Sequence, residues 1–244
     1  MKVVTYNVHK CRGMDGRTRV DRIIDVLAGI DADVVALQEV FQTDRGRFSQ
    51  VQTIASELGY EAAFGRTQEK YGRPYGNAIL SRWPILSHQS FDLPWTRREQ
   101  RGCLRADIDG PFGAVHAFNV HMGTSYFERR HQIRSFLDQS ILHEELSGPR
   151  VLVGDFNEWV NGLTTRSLAE RFESLDMRRH ARRRRSYPGL LPFLHLDHIY
   201  FDVPLEIEDA ELVRNRKSLM ASDHLPLVAR FSVAGEIVDS PRVC

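Results

Sequence analysis

The stretch Asp33-Val34-Val35-Ala36-Leu37-Gln38-Glu39 is a short apolar run that ends in an amide and a carboxylate. A similar run covers residues 2–8, and between the two runs apolar residues recur at helical spacing at Val20, Ile23, Ile24, Leu27 and Ile30. Spacing of this kind predicts an amphipathic helix between two strands. The pattern therefore indicates an α/β fold.

Apolar periodicity continues along the rest of the chain. It predicts further helices at about 47–58, where Gly59 follows as a helix-ending glycine, at 126–145 and near 163–172. Further strands are predicted at 77–81, 101–109, 113–120, 150–153, 196–201, 209–214 and 225–232. The strands cluster at 77–120 and at 196–232, which favours two packed sheets over one doubly wound sheet. We expect one domain over residues 1–233 and a loosely held tail at 234–244.

The composition is that of an ordinary soluble globular protein, with 42% hydrophobic and 27% charged residues among 244. The formal net charge of +1 does not support nucleic-acid binding by bulk charge, so any attraction to polyanions is local. Three cysteines lie far apart without C-x-x-C spacing, which suggests neither a disulfide framework nor a thiolate zinc site. With no signal-peptide core at the start and no apolar run of membrane-spanning length, we expect a cytoplasmic protein. We also expect a monomer.

Polar residues follow the apolar runs at six points, where a strand passes into a loop and active sites are often built. They are Asn7, Glu39, His121, the pair Asp155 and Asn157, Asp197, and the pair Asp223 and His224. Each has a structural explanation by itself, such as a solvated acid, an Asx turn or an exposed histidine. Their joint occurrence in this order indicates one functional site.

Two chemical roles follow from these residue types. The Asn7 carbonyl and the Glu39 carboxylate are the oxygen ligands that hard cations such as Mg²⁺ prefer. His224 needs a carboxylate to hold its tautomer and support a positive charge, and Asp197 is the natural partner. Asp223, next to His224 in sequence, then remains available for a metal or a water.

With these pieces placed, the chain resembles the endonuclease/exonuclease/phosphatase superfamily over about residues 2–232. The motifs that carry the resemblance are Thr5-Tyr6-Asn7, Leu37-Gln38-Glu39, Tyr75-Gly76-Asn77-Ala78-Ile79-Leu80-Ser81-Arg82, Asn119-Val120-His121, Gly154-Asp155-Phe156-Asn157, Leu196-Asp197-His198-Ile199 and Ser222-Asp223-His224-Leu225-Pro226. The opening Tyr6-Asn7-Val8-His9-Lys10 is similar to that of a small bacterial branch. His9 stands where the repair nucleases of the group carry an acid, which weakens any expectation of repair-type cleavage.

The resemblance implies a four-layer α/β/β/α sandwich with the site at one end of two mixed sheets. It implies that Asn7 and Glu39, with Asp223 nearby, hold Mg²⁺ or Mn²⁺. The catalytic roles that it implies are water orientation by Asp155, phosphate or water binding by Asn157, donation by His121, and phosphate contact or proton transfer by His224 with Asp197. The same resemblance places Asn77 among the substrate-binding residues.

Basic residues bear on the substrate. The stretch Arg178-Arg179-His180-Ala181-Arg182-Arg183-Arg184-Arg185 packs six arginines into eight residues just before Ser186-Tyr187-Pro188. We assign Arg182, Arg183, Arg184, Arg185 and Tyr187 to substrate binding, because such a cluster beside a catalytic end attracts a polyanion. Arg97, Arg98 and Arg101 near Trp95 suggest a second basic patch suited to base stacking. A solvated loop or a partner-docking patch explains these clusters equally well.

The sequence thus predicts a Mg²⁺- or Mn²⁺-dependent phosphodiester hydrolase that uses a directly attacking water, with nucleic acid as the leading substrate class. A phospholipid (sphingomyelinase-like) or small-molecule phosphate-ester hydrolase is the first alternative, since anionic headgroups attract the same arginines. An inactive anion-binding protein on the same fold is the second. The complete set of acid, amide and histidine residues argues against inactivity.

Overall fold

The structure is a computed structural model, and it describes residues 1–43, 49–95, 98–111, 113–138, 146–158, 162–170, 172–174, 185–189, 194–202 and 204–233. Several predicted features fall wholly or partly outside these ranges. They include residues 47–48 of the predicted helix 47–58, residues 139–145 of the predicted helix 126–145, residue 171 of the helix predicted near 163–172, Arg97, the arginines Arg178, Arg179, Arg182, Arg183 and Arg184, and the tail at 234–244.

The described strands form two six-stranded sheets. The first sheet contains β1 (Lys2–Asn7), β2 (Val34–Phe41), β3 (Glu61–Lys70), β4 (Arg73–Ser81), β11 (Leu205–Leu212) and β12 (Leu227–Val233), in the order β11-β12-β1-β2-β4-β3. The second contains β5 (Ile85–Leu93), β6 (Arg101–Gly110), β7 (Gly113–His121), β8 (Arg150–Asp155), β9 (Glu173–Ser174) and β10 (Asp197–Phe201), in the order β5-β6-β7-β8-β10-β9. Each sheet has one parallel pair, β1 with β2 and β7 with β8, among antiparallel neighbours.

Helices cover the outer faces of both sheets. The helices α1 (Val20–Ile30) and α2 (Gln50–Leu58) pack on the first sheet, where α5 (Arg216–Ala221) lies against α1. The helices α3 (Tyr126–Asp138) and α4 (Leu163–Ala169) lie on the side of the second. Gly59 ends α2 in a left-handed conformation, as the sequence predicted. The four-layer α/β/β/α sandwich is thereby confirmed.

Several elements differ from the predictions. The strands β3 and β5 and the helix α5 were not predicted, β4 begins at Arg73 and not at 77, and β11 covers Leu205–Leu212 where 209–214 was expected. The strand β5 is an edge strand, and residues 86–90 within it are all exposed. An exposed edge needs no apolar alternation, so periodicity cannot detect it.

Polar side chains bridge the two sheets inside the otherwise apolar core. Asn119 on β7 donates to the carbonyls of Leu37 and Ala78 on the facing sheet, each at 2.8 Å. It also accepts from Gln38 Nε2 at 2.7 Å. Buried polar groups are costly unless they are hydrogen-bonded, so these three bonds define how the sheets align.

We expect Asn119→Leu to lower the free energy of unfolding by about 2–4 kcal/mol, because it removes the side-chain donor to two buried carbonyls and one acceptor of the Gln38 amide, which keeps its bonds to Thr5 Oγ1 and Ala36 O. Urea unfolding followed by circular dichroism measures the change. Gln89→Leu on the exposed β5 is the control and should stay within about 0.5 kcal/mol of the unsubstituted protein. A loss below about 1 kcal/mol for Asn119→Leu would mean that the bridge contributes little.

Candidate active site

Strand alternation directs four of the predicted site residues toward the facing sheet. Side chains two residues apart share one face of a strand. The inter-sheet core contains Val3 on β1, Ala117 on β7, Val151 and Val153 on β8, and Ile199 and Phe201 on β10. By the same parity Asn7, His121, Asp155 and Asp197 point between the sheets, and all four are buried.

The two parallel pairs end at one edge of the sandwich. In the pairing of β7 with β8, His121 lies opposite Asp155, and in the pairing of β8 with β10, Asp155 lies opposite Asp197. Across the sheets, Asn7 Nδ2 donates to Asp155 Oδ2 at 3.0 Å. Residues separated by 148 positions in sequence therefore meet at this edge.

Glu39 reaches the same edge by a different route. Strict alternation would direct it to the helix-covered face that Leu37 occupies. Glu39 instead has a left-handed backbone with φ of 61°, and the pairing of β2 with β4 shifts register between Leu37 and Val40. This bulge turns the carboxylate toward Asn7 Nδ2, at 3.3 Å, and Lys10 Nζ, at 2.8 Å.

These side chains line an open pocket of about 330 Å³. The polar residues of its wall are Asn7, His9, Lys10, Glu39, Lys70, Glu99, Arg101, His121, Thr124, Asp155, Asn157, Tyr187, Asp223 and His224. The pocket is large enough for a phosphate group and the atoms next to it. We call it the strand-end pocket.

Asp155 lies at the base of the strand-end pocket. Its Oδ1 accepts from the backbone N–H of Asn157 at 2.9 Å, while Oδ2 faces His121 Nε2 at 3.6 Å and His224 Nε2 at 3.7 Å. Burial raises the pKa of this carboxyl above its ordinary value, although the charge of His224 opposes the change. A carboxyl group with a raised pKa is a better proton acceptor at neutral pH than an ordinary aspartate.

His224 lies between two carboxylates. Its Nδ1 bonds to Asp197 Oδ2 at 3.0 Å, and the tilted ring of Tyr187 packs against it with ring centroids 4.8 Å apart. Burial alone would lower the pKa of His224, but Asp197, Asp155 and Asp223 raise it to about 10. The imidazole is therefore a cation at neutral pH.

His121 has the opposite electrostatic setting. Burial and the nearby Arg101 guanidinium hold the pKa of His121 well below its usual range. Arg101 Nη1 lies 3.0 Å from His121 Nδ1 and 2.9 Å from Nε2, so the neutral ring can accept from Arg101 at one nitrogen and donate at the other. The pocket thus presents one charged and one neutral imidazole to the same carboxylate.

The loop after β1 supplies two further side chains. His9, Lys10 and Cys11 all have positive φ, of 44°, 61° and 56°. Gln50 Nε2 anchors the turn by donating to Lys10 O at 2.7 Å, and His9 Nδ1 lies 3.5 Å from Asp223 Oδ1. Three successive left-handed residues are strained, and such strain persists where surrounding contacts hold it, often at functional sites.

Two groups of residues could hold a metal ion. Asp155, Asp197 and His224 have potential ligand atoms within 4.8 Å of one another. However, both His224 nitrogens face carboxylates, and an imidazolium has no lone pair for a metal. The carboxylate oxygens of Glu39 and Asp223 fit a hard cation better, because the Lys10 ammonium keeps the pKa of Glu39 low despite burial, which would raise it. The Asn7 oxygen, which accepts from the His9 N–H while Nδ2 faces Glu39, would join them by rotation of the amide.

The structure brings most of the predicted site residues together. Asn7, Glu39, His121, Asp155, Asn157, Asp223, His224 and Tyr187 all line the strand-end pocket, and Asp197 lies directly behind His224. Arg185 is exposed and is not among the lining residues, while Arg182, Arg183 and Arg184 lie outside the described residues.

Two sequence-based assignments do not agree with these positions. Asn77 is buried and donates to the backbone carbonyls of Gly102 at 3.1 Å and Asn119 at 3.3 Å, so its amide joins the two sheets and does not face the pocket. Arg101 is not part of an exposed basic patch with Arg98, because it is buried against His121.

Sequence reasoning assigned no role to three charged lining residues, Lys10, Lys70 and Glu99, and it placed Arg101 in a basic patch without linking it to His121. A signal for Arg101 exists. In an antiparallel hairpin the start of one strand lies beside the end of the next, and Gly102 indeed pairs with His121. Glu99 and Lys70 reach the pocket through a loop and an unpredicted strand, so the sequence contains no comparable signal for them.

A sequence model of the Endonuclease/Exonuclease/phosphatase family matches residues 4–224. The chain therefore belongs to this family of hydrolases, whose members generally depend on divalent metals. The uncharacterized protein YbhP of Escherichia coli (strain K12) is 30% identical over 245 residues, which cover 94% of this chain and 95% of YbhP.

Solved structures share the fold at lower identity. A mannosyl-6-phosphatase of Bacteroides thetaiotaomicron superposes with a TM-score of 0.77 at 18% identity, covering 95% of this chain and 99% of the other. D. rerio TDP2 complexed with single strand DNA product gives a TM-score of 0.73 at 18% identity, covering 96% and 99%. At these identities the likeness establishes the fold alone. Among the described residues, no helix has the length and apolar character needed to cross a membrane.

Proposed function

We propose that this chain is a divalent-metal-dependent phosphodiesterase in which water attacks phosphorus directly. One observation carries the proposal: a buried carboxylate, Asp155, faces the imidazoles of His121 and His224 in the pocket that also contains Glu39. A base, a neutral donor, a cationic donor and an acidic oxygen ligand are the groups that phosphoryl transfer to water requires.

Each residue has a role that its contacts support. Asp155 accepts the proton of the attacking water, and its raised pKa suits this task. The His224 imidazolium, held by Asp197, donates to a phosphoryl oxygen or to the leaving oxygen. Asn157, whose backbone is oriented by its N–H bond to Asp155, contacts the phosphate or the water.

Asn7, Glu39 and Asp223 would hold the metal, and a bound Mg²⁺ or Mn²⁺ supplies positive charge to the phosphoryl oxygens. The chain contributes positive charge of its own through Lys10 and Arg101, and the neutral His121 adds a hydrogen-bond donor in the same pocket. These donors offset the charge that builds up on oxygen as the bond to phosphorus forms.

Nucleic acid is the leading substrate class in this proposal. Basic side chains line the pocket, Tyr187 offers a half-buried aromatic ring beside His224, and the exposed Arg185 follows the arginine-rich stretch in sequence. D. rerio TDP2, which shares the fold, was solved with single strand DNA product. The similarity to a mannosyl-6-phosphatase favours a small-molecule phosphate ester as the second candidate.

Hydrolysis of bis-p-nitrophenyl phosphate with Mn²⁺, Mg²⁺ or EDTA tests the proposal. We expect turnover with either metal and none with EDTA. Glu39→Gln should weaken Mn²⁺ binding on the order of 10–100-fold, measured by calorimetry, because one charged oxygen ligand is lost. The exposed Glu57→Gln on α2 is the control. Equal turnover with and without EDTA would contradict metal dependence.

The same conditions then rank the substrates. Plasmid, single-stranded DNA, RNA, sphingomyelin and mannose 6-phosphate are compared by kcat/KM with Mn²⁺. We expect one of the nucleic acids to be the best substrate. A higher kcat/KM for mannose 6-phosphate or sphingomyelin would assign the protein to the corresponding alternative class.

A further inference from the structure

A carboxylate of the chain itself lies on the basic side of the strand-end pocket. Glu99, in the loop before β6, accepts from Gln68 Nε2 at 2.8 Å through Oε1 and pairs with Arg101 Nη2 at 3.0 Å through Oε2. Lys70 Nζ also bonds to Glu99 Oε1. Three donors from β3 and β6 thus converge on one oxyanion.

The donors are held in place independently of Glu99. The Lys70 ammonium lies 4.1 Å from the centroid of the buried Tyr75 ring, which fixes its position through a cation–π contact. The Arg101 side chain is only 9% exposed, and its Nε is buried without a hydrogen-bond partner. A buried guanidinium with an unused donor is costly unless an anion offsets it.

Glu99 is more exposed than either of its charged partners, with 31% of its side chain accessible to solvent against 26% for Lys70 and 9% for Arg101. The charges of Arg101 and Lys70 keep the pKa of Glu99 below its ordinary value, although partial burial opposes this. Glu99 is therefore an anion at neutral pH that can leave its donors for water. Its carboxylate occupies the position that an anionic group of a ligand would take.

We propose that Gln68, Lys70 and Arg101 form a second anion subsite, occupied by Glu99 in this structure, that binds a phosphate of the substrate adjacent to the scissile phosphate. As a statement about substrate, the inference rests on the proposed function. Competition from Glu99 makes this subsite selective for anions with more than one negative charge, because a singly charged anion gains little by displacing a carboxylate.

The position of the subsite supports this assignment. Arg101 Nη1 contacts both ring nitrogens of His121, and His121 Nε2 lies 3.6 Å from Asp155 Oδ2. One imidazole ring therefore separates the second anion subsite from the proposed base. A substrate with its scissile phosphorus beside Asp155 would place a neighbouring phosphate against Arg101 and Lys70, as a nucleic-acid strand or a nucleotide with a second phosphate does.

Calorimetry with pyrophosphate as the probe, on the full chain in EDTA, tests the subsite without catalysis. Without metal, Glu39, Asp155 and Asp223 make the catalytic half of the pocket unfavourable for an anion. We expect Glu99→Gln to bind pyrophosphate about tenfold more tightly, since it removes the competing charge, and Lys70→Met to bind it about tenfold more weakly. Lys217→Met, on the largely exposed α5 lysine, is the control and should bind like the unsubstituted protein.

Two substrates, assayed with the metal-loaded protein, extend the test to catalysis. They are thymidine 5′-(p-nitrophenyl phosphate) with and without a 3′-phosphate. We expect the 3′-phosphate to raise kcat/KM about tenfold, Glu99→Gln to increase this ratio, and Lys70→Met and Gln68→Leu each to reduce it. Thermal unfolding of each variant identifies any that fails to fold.

The two proposals fail in different ways. If neither thymidine ester is hydrolysed but the pyrophosphate affinities change as expected, the subsite stands as a binding site and the proposed function is wrong. If both esters are hydrolysed but Glu99→Gln and Lys70→Met leave the pyrophosphate affinity and the substrate ratio unchanged, the second anion subsite is wrong.

Discussion

Asp155→Asn is expected to lower kcat/KM for bis-p-nitrophenyl phosphate on the order of 10³-fold with Mn²⁺ present. General-base catalysis contributes about 10²–10⁴ in rate, and an amide cannot accept the proton of water. The substitution keeps the size of the side chain. It also removes the negative charge that orients His224 from the Nε2 side, at 3.7 Å.

The contacts of Asp155 determine how this result must be checked. Oδ1 accepts from the Asn157 N–H and Oδ2 from Asn7 Nδ2, whereas an asparagine can accept at only one of these positions. Urea unfolding should therefore accompany the kinetics. Asp109→Asn, at the exposed far end of β6, is the matched control and should retain full activity. Retention of more than about a tenth of the activity by a folded Asp155→Asn protein would exclude Asp155 as the base.

Asp197→Asn is expected to reduce kcat/KM on the order of 10²–10³-fold. Asp197 is fully buried, and its Oδ2 bonds to His224 Nδ1 at 3.0 Å. An aspartate-to-asparagine change behind a catalytic histidine in a serine protease costs about 10⁴ in kcat, because the wrong tautomer is favoured. We expect a smaller loss here, because His224 acts as a charged donor and Asp155 and Asp223 still support its charge.

The pH dependence of His224 distinguishes this role from a purely structural one. In the folded protein the pKa of His224 is raised to about 10, against about 6.5 for an unperturbed histidine. Since the folded state holds the proton more tightly, this stabilisation is fully present below about pH 6.5 and is lost as the pH rises toward 10. Asp197→Asn should lower the pKa of His224. The free energy of unfolding should then vary less with pH between about 6.5 and 10.

Nitrogen-15 NMR of the His224 ring measures that pKa directly. The exposed Asp209→Asn on β11 is the control and should leave the titration unchanged. An unaltered His224 pKa in the Asp197→Asn protein would mean that Asp197 only fills space behind the ring. Reduced activity with an unaltered pKa would assign the loss to misplacement of His224 and not to its charge.

Much of the site could be predicted because strand parity is local. In β8 and β10 an apolar residue two positions from the polar strand end shares its face, as with Val153 and Asp155. In β1 and β7 the apolar residue on that face lies four positions away, Val3 for Asn7 and Ala117 for His121. The partnership of His224 with Asp197 was also expected, since a histidine that carries charge needs a carboxylate. The edge strand β5 and the loop carboxylate Glu99 could not be found this way, because exposed segments have no apolar period.

Asn77 and Arg101 show where sequence reasoning was misled. Both have side chains suited to a phosphate, but Asn77 joins the two sheets and Arg101 lines the strand-end pocket from a buried position. Their burial depends on contacts from the facing or neighbouring strand: Asn77 bonds to Gly102 and Asn119, and Arg101 contacts His121. The sequence around Asn77 and around Arg101 does not indicate these partners, because they lie on other strands.

The sequence by itself determined the α/β class, the inward direction of the strand-end acids and histidines, and the chemistry that those groups can perform. These properties follow from apolar periodicity and residue type, which act over a few residues. The tertiary structure alone decided that the bulge at Glu39 turns its carboxylate into the strand-end pocket, that His224 is charged while His121 is neutral, and that Glu99 is bound by Lys70 and Arg101. Register, burial and charge proximity depend on how distant strands pack, and so they arise only when the two sheets meet.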